Sequence, residues 1–185
     1  NGNTADGYLF TVNTYSTTSG YQYTGSTLDA EHDAATVNMG DEWRTPTHQE
    51  CCELLNAVKA NANDITNPLT CTYIYLDEGG NRKEKVIYRG SSRDGFEFSL
   101  PEYSEIIGIK FTNVSTGASI CFPACGYVKY SELFESGSFV QYWSSSLYEE
   151  PGIPDMPVLE FTGDYAYVDW SGVQYYGYPV RGVHA

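Results

Sequence analysis

The chain has 185 residues, with 24 Asp and Glu against 10 Lys and Arg, for a formal charge of −14 with its three histidines neutral. That length suits a single domain, read as residues 1–185, with room for a sizeable core. Ten scattered cations assemble no basic patch, which argues against nucleic acid and anionic membrane surfaces as partners, and no run of about 18 apolar residues is present to span a membrane.

The chain opens "NGNTADGY", without a methionine or an apolar leader, so the expectation is a mature or trimmed form with no signal peptide. It carries 17 Tyr, 8 Phe and 3 Trp. Tyrosine is preferred contact chemistry at recognition surfaces and also fits half-buried strands, and both uses are expected here.

"GYLFTVNTY" alternates like a first strand. "STLDAEHDAATVNMG" reads as a short helix, capped by Asp29, with Ala30, Ala34 and Ala35 as a small-residue face and Gly40 at its end. In "GDEWRTPTHQECCELL", Thr47 and Glu50 have the spacing of a capping box, and Pro46 keeps Thr45 extended. Cys51, Leu54, Leu55 and Val58 recur at three- and four-residue steps, which predicts an amphipathic helix from 47 to about 60. Trp43 reads as a core anchor and Arg44 as a partner for a carboxylate or for helix carbonyls. His32 and His48 read as solvated residues on helix polar faces.

Strand signals then dominate. "CTYIYL" and "KVIYR" flank "DEGGNRKE" as a hairpin, and "GFEFSL" continues the pattern. "IIGIKFTNVSTGASICFP" is a second hairpin, turning at 115–117. "QYWSSSLY", "MPVLEF", "YAYVDW" and "YPVRGV" follow as strands, with turns at "TGD" and "WSG" and a surface loop at "YEEPGIPD". Two helices followed by short antiparallel strands define an α+β domain.

The five cysteines, Cys51, Cys52, Cys71, Cys121 and Cys125, cannot all pair, and no zinc-type spacing joins them. They read as buried free thiols, with one Cys121–Cys125 bridge as the alternative. A Ser-His-Asp triad would have to use His32, His48 or His184, and none stands beside a nucleophile elbow; His184 sits at the chain's frayed end. Carboxylate pairs such as Glu149–Glu150, Asp164–Asp169 or Glu97–Glu102 arise by chance among 24 acids. No P-loop or dinucleotide pattern occurs. The reading is therefore non-enzymatic, with no cofactor and no metal.

Four blocks carry a resemblance: "LDAEHDAATVNMGDEWRTPTHQECCELLN", "TNVSTGASICFPACGY", "YWSSSLY" and "YYGYPVRGV", in that order. Together they resemble the Fibrobacter major paralogous domain family, within 28–60 and 106–183. That resemblance implies a C-type lectin-like fold, distantly related to sulfatase-modifying (formylglycine-generating) domains. It implies that "WRTPT" marks entry to the second helix, that Trp43 and Trp143 are core residues, and that Arg181 is a buried or half-buried structural arginine. Residues 61–105 are longer than the family's usual connection and read as an insertion. The family usually has Phe or Trp where Cys51 stands and apolar residues where Cys121 and Cys125 stand, which favours packing thiols. The paired cysteines of the sulfatase-modifying relatives have no counterpart after Cys125, so that activity is not carried over. The calcium motifs of animal lectins share letters with "EEPGIPD" and "VDWSG" but not order or spacing, although Glu149, Glu150 and Asp155 offer oxygen ligands.

The resemblance further implies a ligand-binding or adhesion module of a secreted, cell-surface or lipid-anchored Bacteroidetes-type protein, joined to further domains or an outer-membrane anchor and recognising a glycan or a protein. The alternatives are a retroelement-diversified variable protein, a structural spacer, and an enzyme on the same fold. The family's ligand face maps to the 148–155 loop and the 164–178 region. Alternation puts Tyr165, Tyr167 and Asp169 on one side and Ala166, Val168 and Trp170 on the inward side. The expected ligand-binding set is Tyr148, Tyr165, Tyr167, Asp169, Gln174 and Tyr176.

Overall fold

A computed structural model describes residues 27–61, 69–87, 96–97, 105–146, 155–162, 165–173 and 176–184. The expected strand "GYLFTVNTY" lies outside the described residues. Among the described residues the protein has two helices and a predominance of antiparallel strands, an α+β arrangement.

The first helix, α1, runs Ala34–Met39 and ends at Gly40. Its cap is Asp33, not Asp29. The Asp33 carboxylate accepts from the amides of Ala35 at 2.8 Å and Thr36 at 3.4 Å, and from the Thr45 amide at 2.8 Å and hydroxyl at 2.7 Å. It is only 4% exposed, so four donors replace its water and tie α1 to the strand that follows. Asp29 lies one turn earlier and accepts from the amide and ring of His32. His32 is thus a half-buried partner of Asp29 rather than a solvated helix residue.

Strand β1, Trp43–Arg44, leads into α2, His48–Asn61. The capping box forms as its spacing requires: the Glu50 amide donates to Thr47 Oγ1 at 3.2 Å, and the Thr47 amide donates to Glu50 Oε2 at 2.8 Å. Cys51, Leu55 and Val58 are buried on one face, with Leu54 half-buried beside them.

Two four-stranded sheets carry the core. Strands β2 (Leu69–Leu76), β3 (Arg82–Ile87), β5 (Glu105–Asn113) and β6 (Ser119–Pro123) assemble in the order β3-β2-β5-β6. Strands β4 (Phe96–Glu97), β9 (Val140–Trp143), β10 (Asp155–Phe161) and β11 (Tyr165–Val173) assemble as β4-β11-β10-β9. Both expected hairpins are present, β2 with β3 and β5 with β6. The 61–105 segment supplies β2, an interior strand whose Cys71 and Tyr73 are fully buried, so that segment builds part of the core.

The sheets meet through Phe111 and Phe161, with ring centroids 5.8 Å apart, and through Phe122 and Tyr142 at 5.2 Å. The Tyr73 hydroxyl crosses between them and donates to the Thr162 carbonyl. The buried face of α2 joins the same cluster. Burying each such aromatic contributes on the order of 1.5–3 kcal/mol to stability.

The C-terminal pattern departs from expectation at several points. "WSG" is not a turn; it lies within β11. Val158 pairs with Asp169 and Met156 with Gly172, so three steps on β11 match two on β10. The extra residue makes a bulge opposite Pro157, which has no amide to donate to the ladder. "YPVRGV" yields only β12, Val183–His184, paired with β1. Pro179 instead offers its carbonyl to the Trp143 amide at 3.1 Å. His184 is therefore held in a strand, its ring edge-on to Trp43 at 5.6 Å. Trp43 itself is half-buried, a lid on this end rather than a core anchor, whereas Trp143 is buried. Arg181 is exposed, because the chain around it lies outside the sheets.

All five thiols are free. Cys51 and Cys71 are buried as expected, but Cys125 is exposed and forms no bridge with Cys121, since it follows Pro123 beyond the end of β6.

A small hairpin went unread in the sequence. Strands β7 (Tyr127–Lys129) and β8 (Glu132–Phe134) are joined by Tyr130 and Ser131, both at positive φ, 50° and 67°. Two left-handed residues match the twist of a two-residue hairpin, a role usually taken by Asn and Gly. Here no such signal marks it.

Candidate functional aromatic face

Register divides the second sheet into two faces. Leu159 and Phe161, with Val140, Tyr142, Ala166 and Val168 beside them, enter the core. Gln141, Trp143, Val158, Glu160 and Tyr167 occupy the opposite side by alternation. Ala166 and Val168 were the expected inward residues of β11, and both are buried.

One row on the outer face is polar. Glu160 stands between Gln141 and Tyr167 in the ladder. It is 7% exposed and accepts from Gln141 Nε2 at 2.7 Å and from the Tyr167 hydroxyl at 3.0 Å. These two donors compensate part of its lost hydration. The next row is Trp143 and Val158, which a third layer covers. The Tyr178 ring packs edge-on against Trp143 at 4.8 Å. Over it lies a ladder of near-parallel rings: Phe134 to Tyr127 at 5.8 Å, and Tyr127 to Tyr176 at 5.1 Å.

The local chain builds this ladder by simple means. Tyr127 and Phe134 are cross-strand partners in the β7–β8 hairpin, which brings their rings together on one side. Gly126, at φ +69°, passes so close to the Phe134 carbonyl that a Cβ there would lie 2.0 Å from the oxygen. The hairpin is then docked by reciprocal backbone hydrogen bonds between Val128 and Gly177, at 3.0 and 2.8 Å. That bridge sets Tyr176 against Tyr127.

A cation completes the face. Lys129 Nζ lies 4.7 Å from the Tyr176 ring centre and 5.4 Å from that of Tyr130. Its pKa is raised, chiefly by hydrogen bonding to Tyr176. Burial raises the Tyr178 phenol, with Tyr127 and Glu160 adding to the effect, and burial likewise raises Tyr127. These phenols therefore stay neutral. The ladder rings are half-buried, while Tyr130, 78% exposed, and Leu133 project from the hairpin. Stacking, hydrogen bonding and one cation are the chemistry available.

The sequence-expected set is placed only in part. Tyr148 and Gln174 lie outside the described residues. Tyr165 and Asp169 are placed by backbone, in register with Glu97 and Val158. Tyr167 is half-buried and bonded to Glu160, and Tyr176 is half-buried in the ring ladder. Tyr167 and Tyr176 thus belong to neighbouring patches, one on the Glu160 row and the other in the layer over the adjacent Trp143–Val158 row. Tyr127, Lys129, Tyr130 and Phe134 were not anticipated. The alternation in "GYVKYSELF" was the available signal, and it lacked the turn residues that would have marked a hairpin.

Among the described residues, no group of three or more His, Cys, Asp and Glu is arranged to hold a metal, and no helix is long and apolar enough to cross a membrane. No family model, no curated protein and no solved structure matches this chain.

Proposed function

We propose that this protein is a non-catalytic binding module that recognises a glycan or a protein through its aromatic C-terminal face. The observation that carries the reading is the Phe134–Tyr127–Tyr176 ladder with Lys129 at its edge. Rigid, half-exposed rings offer flat apolar area at little entropic cost, and their hydroxyls add directional polar contacts. Tyr167 extends the surface, and Tyr148, Tyr165, Asp169 and Gln174 belong to the same proposed set. The sequence blocks that resemble the Fibrobacter major paralogous domain family support a C-type lectin-like module of a secreted or surface-anchored protein. They agree with a binding role and name no ligand.

A glycan array, together with capture from cell-surface protein preparations, tests this reading. Specific binding at micromolar strength or tighter is expected. Tyr176→Ala is expected to weaken it by about 1–3 kcal/mol, as central hot-spot aromatics do. Failure to bind any glycan or surface protein, or unchanged affinity in Tyr176→Ala, overturns the assignment.

A further inference from the structure

Building on the glycan reading above, we propose that the tip of the β7–β8 hairpin is the specificity-determining contact of the aromatic face. It selects glycans that carry a carboxylate on the sugar ring, the uronic acids, through Tyr130 and Lys129.

Residue and backbone are mismatched at this tip. Among the described residues, the non-glycine positions with positive φ all fall in this hairpin and its exit: Tyr130 at 50°, Ser131 at 67° and Glu135 at 56°. Asn or Gly would make a two-residue turn at lower cost, because a side chain crowds the left-handed backbone. Tyr130 recovers little of that cost by packing, since it is 78% exposed. Leu133, on β8, is 60% exposed as well. A local rule broken with no gain in burial is the signature of a side chain kept for what it meets outside the chain.

The charge at the tip is set apart from the carboxylates of the chain. Lys129 stands opposite Glu132 in the hairpin ladder, yet its ammonium lies over rings, 4.7 Å from the centre of Tyr176 and 5.4 Å from that of Tyr130. Arg44, Arg82, Lys83 and Lys110 each reach a carboxylate, whereas among the described residues none comes within ion-pair distance of Lys129. Ring faces attract an ammonium without neutralising it, so Lys129 keeps the capacity to pair with an anion. In a protein of net charge −14, that anion comes from the ligand.

The same geometry chooses the class of anion. Its carrier must also cover the open Tyr130 ring. A pyranose lays a flat face of C–H bonds on an aromatic ring, and in a uronic acid the carboxylate is fixed to that pyranose. Because the ammonium stands beside the Tyr130 ring, a stacked uronate meets both residues as one rigid unit and loses little freedom on binding. An Asp or Glu of a peptide can reach Lys129 but brings no flat face for Tyr130.

Calorimetric titration of the full chain tests this with oligosaccharides of galacturonic, glucuronic and mannuronic acid, each against its methyl ester, which keeps the ring and removes the charge. At least one acid is expected to bind about tenfold more tightly than its ester, the share of one charge-assisted contact. Lys129→Met is expected to erase that preference. Tyr130→Asn is expected to weaken binding about tenfold without lowering the melting temperature, because Asn suits the positive φ and a structural role would give the reverse. Equal binding of acid and ester, a preference that survives Lys129→Met, or native affinity in Tyr130→Asn overturns the proposal. Binding of neutral glycans, acidic peptides or proteins alone overturns it too and leaves the binding-module reading standing. Absence of any ligand overturns both.

Discussion

Arg44 and Glu50 are joined by two parallel hydrogen bonds, Nη1 to Oε2 at 2.7 Å and Nη2 to Oε1 at 2.6 Å, and the same carboxylate closes the capping box on Thr47. The Arg44 guanidinium, with help from the Thr47 amide and hydroxyl, lowers the Glu50 pKa from 4.5 to about 2. A depressed carboxylate stabilises the fold above its unfolded pKa and loses that contribution as pH falls through the folded value. The loss is therefore expected between about pH 4.5 and pH 2. The side chains are more than a third exposed, so solvent screening holds the effect to about 1 kcal/mol. Glu50→Gln should lower stability by that amount at pH 7 and flatten the acid limb of a denaturant-melt series over this window. An unchanged acid limb would show that the bidentate pair contributes nothing.

Cys51 gives the opposite sign. Burial, reinforced by Cys52 and Glu50, pushes its thiol up from 9.0 to about 12. A thiol kept neutral by the fold stabilises it below pH 9 and loses that contribution as pH rises toward 12. Stability should fall through this alkaline range, and Cys51→Ala should reduce the slope. In a thiol titration near neutral pH, Cys51 and Cys71 should stay silent until denaturant is added. Rapid labelling of either in the native protein contradicts their burial.

Gly126 is the backbone hinge of the aromatic face. An alanine Cβ would meet the Phe134 carbonyl oxygen at 2.0 Å and the Ser136 nitrogen at 2.6 Å, both backbone atoms that cannot rotate away. Gly126→Ala is expected to cost about 3 kcal/mol or more and to displace the β7–β8 hairpin. Near-ultraviolet circular dichroism reads the ladder directly. The aromatic signal should fall sharply, whereas Tyr130→Ala, at an exposed position, should leave stability within about 0.5 kcal/mol. A Gly126→Ala protein with native aromatic signal and melting point would refute the close approach.

The Tyr73 hydroxyl is the polar tie between the two sheets. Tyr73→Phe keeps the ring packing and removes one donor from the buried Thr162 carbonyl. A loss of about 1 kcal/mol is expected, measured as a lower denaturation midpoint at unchanged m-value. A neutral substitution would mean that this hydrogen bond adds nothing net.

Much of the fold was legible because the relevant forces act over a few residues. Thr47 and Glu50 are three apart, so the start of α2 could be read from spacing alone. The two long hairpins announced themselves through turn residues, and the inward side of β11 through the alternation of Ala166 and Val168. Asp33 was missed as a cap because half its donors come from Thr45, twelve positions away. "WSG" was misread because a bulge and a turn use the same residue types; only the partner strand, with Pro157, distinguishes them.

The sequence by itself determined the α+β pattern, the second helix and its cap, the strongly acidic surface balance, and the abundance of tyrosine from which a binding face can be built. Only the tertiary structure decided which tyrosines gather. Tyr127, Phe134 and Tyr176 meet because the Val128–Gly177 bridge joins segments nearly fifty positions apart. Tyr167 turns to Glu160 across β10 and β11, and Arg181 is left in solvent. Helix caps and hairpins are set by neighbours along the chain. The surface is set by which faces the assembled sheets leave uncovered, and that depends on contacts between segments distant in sequence.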